Sequence, residues 1–144
     1  MQYEKVIDDF FKKIQGHSKN SLEQMFCGFN KGELGVLRYL YSNKKVTSGD
    51  LSDFFDVSTA RIASILNSLE NKKLIIRKCD SFDKRKILIN ITEKGVKLTQ
   101  DMKNEVQKRI EYLIGKIGLD SFEQYLDLTI MINDVFNNYE EEIC

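Results

Sequence analysis

Two groups of side chains have the types and spacing to do chemistry. Ser58, Thr59, Arg61 and Ser64 fall within two turns of a helix, and Asp83-Lys84-Arg85-Lys86 form a compact charged tetrapeptide further along. Arg carries a planar fork of donors that pairs bidentately with phosphate or with the edge of guanine. Hydroxyls donate or accept, and Lys adds a point charge. This is the chemistry of holding a polyanion, not of turning over a substrate. The sole histidine is His17, the eight glycines are dispersed, and no Gly-x-x-x-x-Gly-Lys-Ser/Thr loop occurs. Cys27, Cys79 and Cys144 are too few and too scattered for a disulfide framework and form no Cys-x-x-Cys pair, so neither a metal site nor a cofactor is expected. The residue types argue against an enzyme.

Each group needs an element to carry it. Thr47-Ser48-Gly49-Asp50 reads as a helix N-terminus, followed by the apolar Leu51, Phe54 and Phe55. Asp56-Val57-Ser58 is a tight turn, with Ser58 placed to cap a second helix. That helix turns Ile62, Ile65, Leu66 and Leu69 inward and leaves Thr59, Arg61, Ser64 and Ser68 on other faces. Ser52 is small where the two helices would cross, and Val57 plugs the turn. The pattern is a helix-turn-helix. The second group sits between two short strand-like runs, Leu74 to Cys79 and Ile87 to Ile91, with Asp80-Ser81-Phe82 supplying turn chemistry. A hairpin with a cationic tip directly after a helix-turn-helix is a winged helix-turn-helix.

The flanks are helical. Tyr3, Val6, Ile7, Phe10, Phe11 and Ile14 form an apolar stripe ending near Gly16, and a polar stretch leads to Leu22, Met25, Phe26 and Phe29. Asn30-Lys31-Gly32-Glu33 resembles a capping box with Glu33 reaching back to Asn30, opening a helix with Leu34, Leu37, Leu40 and Tyr41 on one face. Thr92 is placed to cap a long helix ending at Gly115 and Gly118. A last helix follows from Asp120, apolar nearly all round: Phe122, Tyr125, Leu126, Leu128, Ile130, Met131, Ile132, Val135 and Phe136. A helix with no wet face needs cover on every side, and a second subunit is the natural cover. The expected organisation is an N-terminal dimerisation helix and linker over 1–30, a winged helix-turn-helix over 31–95, and C-terminal dimerisation helices over 96–144. The fold class is mainly α with a small β-hairpin wing.

Charge is unevenly distributed over the 144 residues. The formal net charge is zero, yet residues 58–86 carry eight basic against three acidic side chains, and residues 87–144 carry six against eleven. A basic middle suits a polyanion, and the acidic end does not. No apolar run reaches the roughly 20 residues that span a bilayer, and the N-terminus lacks a signal-peptide pattern, so a cytoplasmic protein without a membrane partner is expected.

At this point the chain resembles the MarR family of bacterial transcription factors. Asp80-Ser81-Phe82-Asp83-Lys84-Arg85-Lys86-Ile87-Leu88-Ile89-Asn90-Ile91-Thr92-Glu93-Lys94-Gly95 follows that family's wing, and Leu66 to Ile75 matches the end of its recognition helix. The resemblance covers about 31–95 by motif and the flanking helices by layout. Three positions depart from it: Asp56 and Lys73 stand where Gly is usual, and Ser81 where Pro is common. None removes a DNA-contacting group.

The resemblance implies a homodimeric, sequence-specific regulator of transcription, more often a repressor released by a small-molecule effector. The helix from Ser58 would enter the major groove, with Thr59, Arg61 and Ser64 at base edges and the amides near Ser58 on a phosphate. Arg85 would enter the minor groove, Asp83 would orient Arg85 by a charge-assisted hydrogen bond, and Lys84 and Lys86 would meet phosphates. Phe82 is expected to pack against the stems of its own wing rather than on bases. Phe26, Phe29, Tyr39 and Tyr112 are candidate lining for an effector pocket. Cys79, set among Arg77, Lys78 and Lys84, is a candidate redox switch, because nearby positive charge favours the thiolate. The competing reading is a winged-helix module that binds protein. The basic surplus and the intact Asp83-x-Arg85 tip argue against it.

Overall fold

The computed structural model describes residues 3–15 and 31–143. Its elements in order are α1 (Glu4–Gln15), α2 (Lys31–Ser42), α3 (Ser48–Phe55), α4 (Thr59–Asn71), β1 (Ile75–Cys79), β2 (Ile87–Ile91), α5 (Glu93–Ile117) and α6 (Leu119–Ile143). The chain forms two compact units, one of Phe29–Lys103 and the other of Met1–Gly28 with Asn104–Cys144.

The first unit is the winged helix-turn-helix. Its core gathers Val36, Leu37 and Leu40 from α2, Leu51 from α3, Ile62, Leu66 and Leu69 from α4, and Leu74, Ile75 and Ile89 from the wing and its approach. Each fully buried aliphatic side chain contributes about 1.5–3 kcal/mol. β1 and β2 pair antiparallel, with Ile75 opposite Ile91 and Cys79 opposite Ile87. Val46 adds a one-residue third strand: it bridges Ile89, whose N–H donates to the Val46 carbonyl at 2.8 Å. The unit continues into α5 as far as Lys103, where Leu98 packs against the core and the buried Thr99 hydroxyl donates back to the Gly95 carbonyl at 2.8 Å.

Local chemistry explains where the helices begin. α3 opens on a complete capping box: the Asp50 N–H donates to Thr47 Oγ1 at 3.2 Å, and the Thr47 N–H donates to Asp50 Oδ2 at 2.9 Å. α5 opens on Thr92, whose Oγ1 accepts from the Gly95 N–H at 3.1 Å. Gly95 is where the backbone passes closest, since a Cβ there would lie 2.3 Å from the Leu74 carbonyl oxygen.

In the second unit Ile7 and Phe10 of α1, Val106, Ile110 and Ile114 of α5, and Phe122 and Leu126 of α6 are buried. The Phe10 and Phe122 rings stand 6.3 Å apart. Gly118, at φ 85°, ends α5 and starts α6, whereas Gly115 lies inside α5 and does not mark its end. The expected apolar surplus of α6 is present on its surface: Leu128, Met131, Ile132, Val135, Phe136 and Tyr139 are all exposed within the single chain.

Candidate nucleic-acid interface

The turn between α3 and α4 is built by three residues. Asp56 ends α3 in the left-handed conformation, φ 50° and ψ 52°, which Asp tolerates better than most residues. Ser52 does more than stay small at the crossing. Its Oγ donates to the Val57 carbonyl at 2.6 Å, while the Val57 N–H donates to the Ser52 carbonyl at 3.2 Å. Val57 is half-buried against the core, as a plug should be.

Ser58 then caps α4, its Oγ accepting from the Arg61 N–H at 3.2 Å. The amides of Thr59 and Ala60 have no preceding turn to accept them. Ile62, Leu66 and Leu69 are buried, and Thr59, Arg61 and Ser64 are exposed on the far side. The structure thus brings Ser58, Thr59, Arg61 and Ser64 to the exposed N-terminal end of α4, with Arg61 and Ser64 on one face and Thr59 on another. Ser68 is half-buried instead, and its Oγ donates to Glu33 Oε1 at 2.5 Å.

That bond gives Glu33 partners on a second helix; the capping box expected between it and Asn30 lies outside the described residues. Both carboxylate oxygens of Glu33 are occupied by α4: Ser68 takes one and Lys72 Nζ takes the other at 2.6 Å. Burial pushes the Glu33 carboxyl up, but the hydrogen bonds from Lys72 and Ser68 and the Lys72 charge outweigh it and hold the group below its ordinary value. Sequence reasoning missed this tie because the partners are 35 and 39 residues away.

The end of α4 keeps its geometry despite Lys73. With Lys72 as C-cap, the Leu74 N–H donates to the Leu69 carbonyl and the Lys73 N–H to the Glu70 carbonyl, each at 2.9 Å, which is a Schellman motif. Lys73 takes the left-handed position, φ 61°, that Gly would occupy without strain. Thr92 Oγ1 donates to the Lys73 carbonyl at 2.8 Å, and Lys94 Nζ to the Lys72 carbonyl at 3.0 Å. Arg77, on β1, reaches back to α4: its guanidinium donates twice to Asn67 Oδ1 at 3.0 Å and once to Glu70 Oε2 at 2.8 Å.

The wing tip holds Asp83, Lys84, Arg85 and Lys86, all exposed. Asp80 N–H donates to the Lys86 carbonyl and Lys86 N–H to the Asp83 carbonyl, each at 2.9 Å. Asp83 does hydrogen-bond to Arg85, at its backbone. Its Oδ1 accepts from the Arg85 backbone N–H at 3.1 Å, fixing the turn and leaving the guanidinium without an acceptor among the described residues. Thr47, through its backbone N–H first and then its side chain, holds the Asp50 carboxyl below its usual range, and the Lys86 charge adds to the effect. Phe82 does not pack on the wing stems. The loop carries it clear of them, and it is 92% exposed.

Tyr39 is half-buried in an aromatic cluster, its ring 4.5 Å from Phe54 and 6.1 Å from Phe55, and so serves the core. Tyr112 is exposed, with Lys116 Nζ 5.4 Å above its ring. Phe26 and Phe29 lie outside the described residues. Cys79 is free and exposed, and Arg77, one of the cations expected to activate it, spends its guanidinium on Asn67 and Glu70. Among the described residues no group of His, Cys, Asp and Glu is arranged to hold a metal, and no helix is long and apolar enough to cross a membrane.

A capped, outward-facing second helix followed by a two-stranded wing defines a winged helix-turn-helix protein. Residues 20–102 match the model of the SarA/Rot transcriptional regulators. The chain belongs to that family, a MarR-type class of regulators and not of enzymes. Among curated proteins it is similar to the HTH-type transcriptional regulator MhqR of Bacillus subtilis, at 25% identity, covering 85% of this chain and 83% of that protein. Among solved structures it shares its fold with MepR, a transcription regulator of the Staphylococcus aureus multidrug efflux pump MepA (TM-score 0.62, 23% identity, 92% of this chain and 98% of that one). A MarR transcriptional regulator from Methanosarcina mazei is also similar (TM-score 0.58, 24% identity, 92% and 95% covered).

Proposed function

We propose that the protein is a sequence-specific, double-stranded-DNA-binding regulator that acts in the cytoplasm as a homodimer, more in the manner of a repressor than an activator. The observation that carries this reading is the division of labour among its cations. Lys72 and Arg77 are bound internally, whereas the side chains of Arg61, Lys84 and Arg85 project from the start of α4 and the wing tip with no partner among the described residues, and Lys86 beside them has only the charge of Asp50. Cations left unpaired on two adjacent projections suit a ligand that brings its own anions.

Arg61, with Thr59 and Ser64 beside it, reads base edges in the major groove, and the Thr59 and Ala60 amides at the Ser58 cap meet a phosphate. Arg85 enters the minor groove and Lys84 and Lys86 hold phosphates. The exposed apolar face of α6 supports a second copy as its cover. A two-fold protein calls for an imperfect palindrome with half-sites about one helical turn apart. The neighbour MepR has been solved with DNA and with ethidium bromide, which supports the DNA reading and a small-molecule effector here.

Fluorescence anisotropy of the wild type and Arg85→Ala on the intergenic duplex upstream of its own coding region, in rising salt, tests the proposal. Wild type binds well above a scrambled duplex and more weakly as salt rises, and the variant loses about 1–3 kcal/mol. Weak binding that is alike for both proteins at every salt overturns it and favours a protein-binding wing.

A further inference from the structure

Phe82 is the most exposed large apolar side chain among the described residues, at 92%. The loop that presents it is closed. Its own N–H donates to Asp80 Oδ1 at 3.2 Å, and the Asp80 and Lys86 amides tie the two sides of the tip together at 2.9 Å each. The ring is therefore held outward by a pinned backbone. Beside it stand Lys84, Arg85 and Lys86, all exposed. An apolar protein pocket that accepted Phe82 would desolvate these three cations, and a lipid surface calls for more apolar area than one ring. A base step in duplex DNA offers an apolar slot between stacked bases with phosphates on both sides.

We propose that Phe82 is an apolar wedge that the wing drives into a base step of the minor groove, partly unstacking it and kinking the duplex. This rests on the DNA reading above: a wing that brings Arg85 to the minor groove carries Phe82 there too, because the two share one closed turn. Inserted apolar side chains kink DNA by ~20–90° toward the major groove. The wedge would select flexible pyrimidine–purine steps, so Phe82 adds specificity for deformability where Arg85 senses groove width and potential.

The test uses the full-length protein and the same intergenic duplex, labelled at its ends for energy transfer and with 2-aminopurine placed at successive steps. Wild type, Phe82→Ala and Arg85→Ala are compared. Wild type brightens 2-aminopurine at one step per half-site and shortens the end-to-end distance. Phe82→Ala abolishes both signals and loses about 5- to 50-fold in affinity, the scale of one lost aromatic–base contact. Because the side chain is solvent-exposed, its melting temperature stays that of wild type. Phe82→Ala with unchanged affinity and bend, or a wild-type complex with no unstacked step, overturns the wedge while Arg85-dependent binding keeps the DNA reading intact. Weak binding that is alike in wild type and Arg85→Ala overturns both. Tight binding of Phe82 and its cations to anionic vesicles, with none to the duplex, assigns the tip to a membrane surface instead and overturns the wedge.

Discussion

Replacing Glu33 by Gln should loosen α2 from α4 by an amount that depends on pH. In the wild type one carboxylate oxygen accepts from Ser68 at 2.5 Å and the other from Lys72 at 2.6 Å. Gln keeps an acceptor for the Ser68 hydroxyl but turns an amide donor toward the Lys72 ammonium. A hydrogen bond to a charged group is worth ~1.5–3 kcal/mol in a buried setting. The Glu33 side chain is 11% exposed but that of Lys72 is 53% exposed, so water takes over much of the ammonium once the bond is lost. That discount brings the expected loss to about 1 kcal/mol. Because Glu33 is held below its ordinary 4.5, the stabilisation is complete above that value and is lost as pH falls through the depressed folded-state value. Urea unfolding at fixed protomer concentration, at neutral pH and again well below 4.5, measures it. The variant should be less stable at neutral pH, and the gap should close in acid, where the protonated wild-type side chain resembles Gln. Lys72→Met should cost a similar amount, and the double variant little more than either single. Equal stability at neutral pH, or a gap that persists in acid, refutes the reasoning.

Lys73→Gly should stabilise the protein by about 0.5–1 kcal/mol, because a side chain at φ 61° costs ~1–2 kcal/mol and Gly returns part of that gain as backbone entropy. The urea midpoint should rise with the slope unchanged. Gly95→Ala should lower the melting temperature, since its Cβ would meet the Leu74 carbonyl oxygen at 2.3 Å and Ile91 Cγ1 at 2.7 Å; the cost is ~1–3 kcal/mol or more. For DNA binding, Lys84 and Lys86, the two side chains proposed to hold phosphates, should contribute about −4 to the slope of log affinity against log salt when both protomers of the proposed dimer engage. About half that contribution, read from the Lys84→Ala, Lys86→Ala double variant, would mean that only one protomer engages.

What was legible in the sequence is what short-range chemistry determines. Thr47, Ser58 and Thr92 each cap a helix through a partner three residues on, so the signal and its cause sit in one window. The alternation through Ile87, Ile89 and Ile91 marked β2, although Ile87 is exposed, because it shares the face of the buried Ile89 but lies at the tip end of the strand, opposite the exposed Cys79. The partners of Glu33 were not legible for the opposite reason: Ser68 and Lys72 reach it only when α4 packs on α2. Val46 carried no strand signal because a single bridge has no period. Phe82 was misplaced because an exposed aromatic is costly, and the rule that it should bury itself holds only where the backbone allows it. The pinned tip does not. Asp83 was assigned the correct neighbour, while which Arg85 donor it meets was not legible, since sequence does not distinguish a bond to a guanidinium from one to an amide.

The polar ties of the winged unit also hold its two projections, the start of α4 and the wing, in one fixed arrangement. Arg77 clamps the wing stem to Asn67 and Glu70, Glu33 clamps α2 to Ser68 and Lys72, and Thr92 and Lys94 hold the last carbonyls of α4. Every one of these bonds falls on the C-terminal half of α4. The N-terminal half has no such side-chain tie to a neighbouring element among the described residues: the Ser52–Val57 turn, the Ser58 cap and the buried Ile62 position it, which leaves the Thr59, Arg61 and Ser64 side chains clear. Anchoring one end of a helix by polar bonds and leaving the other bare fixes its direction without spending the groups that must face the ligand. The same anchors fix the wing relative to that helix, because Arg77 belongs to β1 and its acceptors to α4. A ligand that satisfies Arg61 therefore meets Arg85 at a preset distance. That preorganisation spares the ordering entropy a slack wing would lose on binding.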